Sequence, residues 1–348
     1  MTWLTWRQFR AQTIAAAAAL ALLAIILAAT GPHLAGLYTA GGLPACHAHG
    51  DCGTMASNFI SQLKNGTFYE VLFYLGLGVM FLAPAIMGVF WGAPLITREI
   101  EAGTLRLAWS QSVTRTRWLA VKLGLIGLAA MATAGLLSLM IAWWASPIDR
   151  ALGMSSSSGA AAFGRIDPLM FAARGIAPVA YAAFAFALGV TAGVVIRRTL
   201  PAMAVTLAVF AVVQLAMPLW IRPHLIPPVH ATVAINPAQL IGLMMSNNNT
   251  MTVIGGATEP GAWILSNQTI TPAGHVFTGP PTPACLSQTN SFTACQNSLG
   301  PLHLRQVITY QPASRYWAFQ WYETAIFLIL ALALAGFCFW RIRQRRLS

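Results

Sequence analysis

Within seven residues, the stretch CHAHGDC (Cys46–Cys52) offers two thiols, two imidazoles and a carboxylate. Thiolates and imidazoles this close together are ligands that zinc takes, which makes a metal site one reading. The same spacing closes a disulfide loop, with Gly50 easing the turn, and sulfur already in a disulfide holds no zinc. The Cys46–Cys52 disulfide is the preferred reading, with no metal. Cys285 and Cys295 then form the second bridge, because proximity selects that pairing among the three that four cysteines allow. An alternative function class, a multi-span membrane enzyme, requires two or more of His33, His47, His49, His224, His230, His275 and His303 to converge on a metal. The phosphate loop GxxxxGK[ST] is missing, and so are HExxH and GxSxG, so no catalytic residue is assigned.

The other chemistry is carried by scarce charges. Residues 96–123, ITREIEAGTLRLAWSQSVTRTRWLAVKL, hold Glu99 and Glu101, two of only eight acidic residues, together with Arg98, Arg106, Arg115, Arg117 and Lys122. Thr97 is placed to cap a helix over 97–109 whose first turn carries both glutamates, as favours the positive end of a helix dipole. Glu99, Gly103 and Arg106 then share one face, while Ile100 and Leu107 share another. Such a helix rests on lipid headgroups or docks on a partner. Glu323 lies near the end of an apolar run beside Arg315, Tyr316, Trp317, Trp321 and Tyr322, which reads as an interfacial or arginine-paired carboxylate, with a place on a substrate path as the alternative. Gln214 interrupts another apolar run and suits a bond across helices, and GVTAG (Gly189–Gly193) suits close helix packing.

These residues sit in a chain of 348 residues that is 57% hydrophobic and 8% charged, with a mean hydropathy of +0.65. A water-facing domain carries about 25% charged residues, so the bilayer is the solvent. Six apolar runs reach the roughly 20 residues that a spanning helix takes: 11–30, 71–95, 119–144, 176–196, 200–221 and 317–340. No cleavable signal peptide is marked, and the first run reads as a retained span. The net charge of +12 flanks these runs rather than forming a soluble basic domain, which argues against nucleic acid. With both termini cytoplasmic, thirteen of the 20 Lys and Arg fall on short inner segments. Lys64, Arg150, Arg165, Arg174, Arg222, Arg305 and Arg315 are left for the longer outer ones, as the positive-inside rule requires. All seven histidines and the four paired cysteines fall outside, where disulfides persist. Phe59, Ile60 and Leu63 predict a short helix at the membrane surface. The large extracytoplasmic segment 222–316 includes INPAQLIGLMM, which suggests a dip toward the bilayer.

The run R-E-x-E-x-G-T-L after the second span, the polar turn SQSVTRTR and the lysine that opens the third span resemble ABC exporter permeases of the second type. TWRQ near the start, FWGAPL at Phe90–Leu95 and RRTLPAMAVTL at Arg197–Leu207 are similar to actinobacterial members. The resemblance implies an all-α polytopic fold of one permease domain in a bacterial plasma membrane, with an N-terminal elbow helix (Thr2–Arg10) and a cytoplasmic coupling helix between spans two and three. Glu99, Glu101, Gly103, Thr104 and, one turn on, Arg106 would then meet an ATP-binding subunit. Two such subunits and a second permease copy or paralogue would complete the assembly. ATP and magnesium would sit on the partner, with no cofactor on this chain. A hydrophobic or amphiphilic substrate (a drug, lipid or peptide) would pass between copies, along Phe73, Met80, Phe81, Met87 and Gln214. A sensor or self-protection complex without net transport is the alternative.

Overall fold

The computed structural model describes residues 2–48, 52–103, 114–154, 164–235, 240–246, 250–255, 261–279, 285 and 292–344. Alanine, leucine and isoleucine dominate α1 (Thr2–Ala40), which runs unbroken for 39 residues. At 1.5 Å per residue such a helix exceeds the hydrocarbon thickness and must project beyond it. The expected separate elbow helix is therefore corrected, since residues 2–10 continue the first span without a break. α2 (Cys52–Asn65) follows, with Ala56, Phe59 and Leu63 buried. Its apolar face packs on the protein, Phe59 meeting Tyr38 of α1 at 5.7 Å between ring centroids, and not on lipid as anticipated.

α3 (Thr67–Met87) passes through one π turn at Gly88–Gly92 into α4 (Pro94–Glu101). Pro94 has no N–H to give the Phe90 carbonyl one turn back, and Gln12 Nε2 of α1 supplies the missing bond at 3.0 Å. α5 (Arg115–Met154) is 40 residues long and is followed by the short α6 (Pro168–Ala172). α7 (Ala177–Ile196) starts with proline in its first turn and ends on Arg197 in the left-handed region, φ 61°. α8 (Thr199–Ala216) leads through a second π turn, Met217–Ile221, to α9 (Arg222–Leu225). After the strands come α10 (Phe292–Ser298) and α11 (Tyr316–Gln344). Among the described residues six helices are long and apolar enough to cross a membrane: Phe9–Cys46, Phe68–Glu101, Thr116–Met154, Ala177–Ile196, Thr199–Leu225 and Ala313–Gln344.

α7 is the most buried of the six and packs against α3, the first π turn, α5, α8 and α11. Small residues permit this. A Cβ on Gly189 would strike the Gly88 carbonyl oxygen and come within 2.8 Å of Ala93 N, and one on Gly92 would lie 2.6 Å from the Phe186 oxygen. Two glycine pairs spaced four apart, Gly88/Gly92 and Gly189/Gly193, thus face each other at backbone contact.

The expectation of an all-α chain is corrected between spans five and six. There β1 (Val229–Ala234), β4 (Trp263–Ile270) and β5 (Arg305–Gln311) form an antiparallel sheet in the order β1-β5-β4. β2 (Leu240–Ser246) and β3 (Thr250–Gly255) form a separate antiparallel pair. The segment anticipated to dip into the bilayer is therefore strand β2 where it is described. Val, Thr and Ile in alternation with polar residues fit this half-buried surface, and their period of two was overshadowed by the apolar total. We call the end of the bundle carrying the strands the sheet end, and the one carrying Thr2, Glu101, Arg197 and Gln344 the tail end.

Candidate functional site

At the tail end, the expected cap Thr97 lies inside α4, wholly buried, with its Oγ1 bonded to the Ala93 carbonyl at 3.1 Å and to Thr199 Oγ1 at 2.8 Å. The two glutamates accordingly sit in the last turn of a helix and not its first. Each is held from within the chain. Glu99 accepts from Lys122 Nζ, and Lys122 also stands 4.7 Å from the Trp118 ring. Glu101 accepts the Thr199 backbone N–H at 2.8 Å and its hydroxyl proton at 2.7 Å. The Glu101 carboxylate thereby does for α8 what an N-cap side chain does, and a negative group there also suits the helix dipole. Gly103 follows with φ 67° and open space around the missing Cβ. Thr104 and Arg106, with the rest of the anticipated 97–109 helix, lie outside the described residues. The outcome is a junction: α4 is tied to α5 through Glu99 and to the α7–α8 corner through Glu101 and Thr97.

At the sheet end, burial forces charges to pair. Glu323 and Arg222 are each 1% exposed. Arg222 donates from Nε and Nη2 to the two carboxylate oxygens at 2.8 and 3.0 Å, and the Tyr181 hydroxyl donates to the same carboxylate. The guanidinium lies 4.1 Å from the centre of the Phe171 ring and 5.9 Å from that of Trp263 on β4. Arg222 Nη1 is buried and has no hydrogen-bond partner among the described residues. The arginine-paired reading of Glu323 thus holds with Arg222 as the partner. Its neighbour Arg315 instead donates to the Pro227 and Gln311 oxygens. A second buried pair, Arg174 Nε to Asp149 at 3.1 Å, stands at the same end. Desolvation by burial pushes the Asp167 carboxyl upward, against the pull of a backbone N–H and of Arg222. Gln320 completes the layer. Its Oε1 accepts the N–H groups of Ile176 and Ala177 at 3.0 and 2.9 Å, and its Nε2 donates to the Phe171 and Arg174 carbonyls. The free start of α7 is thus satisfied by a side chain from α11.

α7 is therefore held at both ends, by α4 through the α8 corner and by α11. The anticipated pathway residues are spread along this frame. Met80 and Met87 are buried in the principal core, with Phe73 packed against it and 5.8 Å from Arg174. Phe81 packs against a second core around Phe184, Phe210 and Phe327. Gln214 Oε1 on α8 is buried with no hydrogen-bond partner among the described residues.

Disulfides join Cys46 to Cys52 and Cys285 to Cys295, while Cys338 is free and buried. Cys46 and Cys52 are thereby removed as metal ligands. Among the described residues no group of three or more His, Cys, Asp and Glu is placed to hold a metal. The partners Arg222, Asp149, Gln320, Lys122 and Thr199 were missed from the sequence. The scarcity of acids was the available signal for Lys122, Thr199 and Arg222, since Glu99, Glu101 and Glu323 lie at the ends of apolar runs and need a cation or a donor there.

A scan against protein families matches residues 17–222 to the family described as ABC-2 membrane transporter related. No curated protein and no solved structure matches the chain.

Proposed function

We propose a transport role from one premise: the chain belongs to the ABC-2 membrane transporter related family, whose match covers more than half of it. Membership makes it a multi-pass membrane subunit of an ABC transporter that works with an ATP-binding subunit. Beyond that, our reading is an exporter of a hydrophobic or amphiphilic substrate, assembled from two permease chains and two ATP-binding subunits that carry ATP and magnesium. The tail end faces the cytoplasm, and the sheet end lies outside with both disulfides. The substrate passes between the copies near spans two and five, with Phe73, Met80, Phe81, Met87 and Gln214 beside its path.

The observation that carries the reading is the junction at Thr97–Gly103. A push on this stretch reaches α5 through Glu99–Lys122 and α7–α8 through Glu101–Thr199, so several spans answer as one body. Packed elements with few voids transmit displacement in this way.

Two experiments test it. Because the described cysteines are bridged or buried, an introduced thiol is the reactive one. Ala102→Cys should resist an impermeant thiol reagent in intact cells and cross-link to the ATP-binding subunit, while Ala273→Cys on the exposed turn after β4 should label from outside. Labelling in the reverse pattern would remove the assigned orientation. Glu101→Ala should leave the complex assembled yet lower permease-stimulated ATP hydrolysis about five- to tenfold, the size of a modest coupling energy. Unchanged stimulation would take the coupling role away from this junction.

A further inference from the structure

A hollow of about 210 Å³ lies at the tail end between α1, α4 and α5, beside the contacts that join these helices. Its walls are apolar and aromatic. Phe9 meets Trp91 edge to face at 5.0 Å, and Phe90 and Ile126 complete the lining. Polar groups also line it: Gln12, already committed to the Phe90 carbonyl, the Glu99–Lys122 pair, and Arg98. Glu99 and Lys122 cancel, so the site keeps the charge of Arg98, an exposed side chain that makes no ion pair among the described residues. Phe90, which lines the hollow, is half exposed, which is what a side chain facing acyl chains looks like in a protein that crosses a membrane.

An apolar slot that opens toward lipid, with one uncompensated guanidinium at its polar rim, is complementary to a molecule with an anionic head and a greasy tail. Guanidinium matches phosphate oxygens bidentately, and its charge counts for more at the edge of a low-dielectric slot than in water. We propose that this hollow binds one anionic phospholipid, with its phosphodiester on Arg98 and an acyl chain against Phe90, Trp91 and Ile126. The site abuts Glu99 and the junction below it, so an occupied slot braces α4 against α1 and α5. The proposal needs only that the chain lies in a bilayer, and it stands or falls apart from any transport role.

The test is native mass spectrometry and thermal unfolding of the purified full chain, titrated with phosphatidylglycerol or phosphatidylcholine. Wild type should retain one phosphatidylglycerol, preferred about fivefold to tenfold, as one cation near a membrane surface provides. Arg98→Gln should bring the two lipids to parity, and Arg98→Lys should keep most of the preference. Arg117→Gln, which removes an exposed cation near the same end but outside the hollow, should leave it unchanged. A preference that survives Arg98→Gln would overturn the proposal. Inorganic phosphate in millimolar excess should neither displace the lipid nor raise the melting temperature. Stabilisation by phosphate alone would replace the lipid with a free anion and overturn it as well.

Discussion

Glu323→Leu should destabilise the sheet end by about 3–5 kcal/mol, because it leaves Arg222 buried, charged and without its partner. Arg222 has little room to escape. It is 1% exposed, lies over Phe171, and already has one nitrogen without a hydrogen bond to any described residue. The Tyr181 hydroxyl would lose its acceptor in the same step. The damage should be asymmetric: protease should cut between β1 and β5 while the tail end stays protected. The decisive comparison is Arg222→Met combined with Glu323→Leu. Replacing both charges with apolar groups of similar volume removes the desolvation cost along with the attraction, so the double variant should recover most of the loss. Melting curves of both single variants and the double one in the same detergent measure this. A double variant as unstable as the worse single one would mean that the pair matters for its shape and not its charge.

Gly189→Leu should cost about 3 kcal/mol or more, at the upper end of what overpacking does. The new Cβ would run into backbone, the Gly88 carbonyl oxygen and Ala93 N, and neither is the movable end of a side chain. Relief requires α7 and the π turn to part, which would break the contacts of Gly92 with Phe186 and of Gly193 with Ala93 as well. Gly124→Ala in α5 is the control, since nothing lies within 4 Å of its new Cβ. It should be neutral or stabilising by about 0.4–1 kcal/mol, as Gly→Ala is where the backbone allows it. Similar losses in the two variants would show that the close approach of α3 and α7 is not what limits packing.

The six spans were legible because long apolar runs leave little choice once the solvent is lipid. The two disulfides were legible because their cysteines are neighbours in sequence. The junction at Glu101 was not. Its partner Thr199 lies 98 residues away, and both residue types also suit an exposed cap. The stretch 97–109 reads as a separate amphipathic helix because its charges start abruptly, and only its first residues, 97–103, are described. In fact α4 continues the second span through a π turn, and the charges mark where that span leaves the apolar core. The strands were hidden for a related reason: β2 and β3 are apolar enough to pass for membrane-associated chain, and only their pairing register distinguishes them. Arg222 and Glu323 stood at facing ends of consecutive spans, and the nearby Arg315 drew attention away from Arg222. That pairing was there to be read.

Gln320 satisfies the opening amides of α7 from a helix that the ribosome makes long afterwards, and Glu323 of that helix neutralises Arg222. While the nascent chain stops short of α11, the middle span has unbonded amides at its start and an unpaired cation nearby. The membrane-inserted intermediate is therefore incomplete at its centre until its last helix arrives. Chains truncated before Gln320 should be recognised as unfinished by membrane proteases even though five of the spans are present. Biogenesis should then be gated from the C-terminal side, and a bulky fusion that delays docking of α11 should prolong the vulnerable interval.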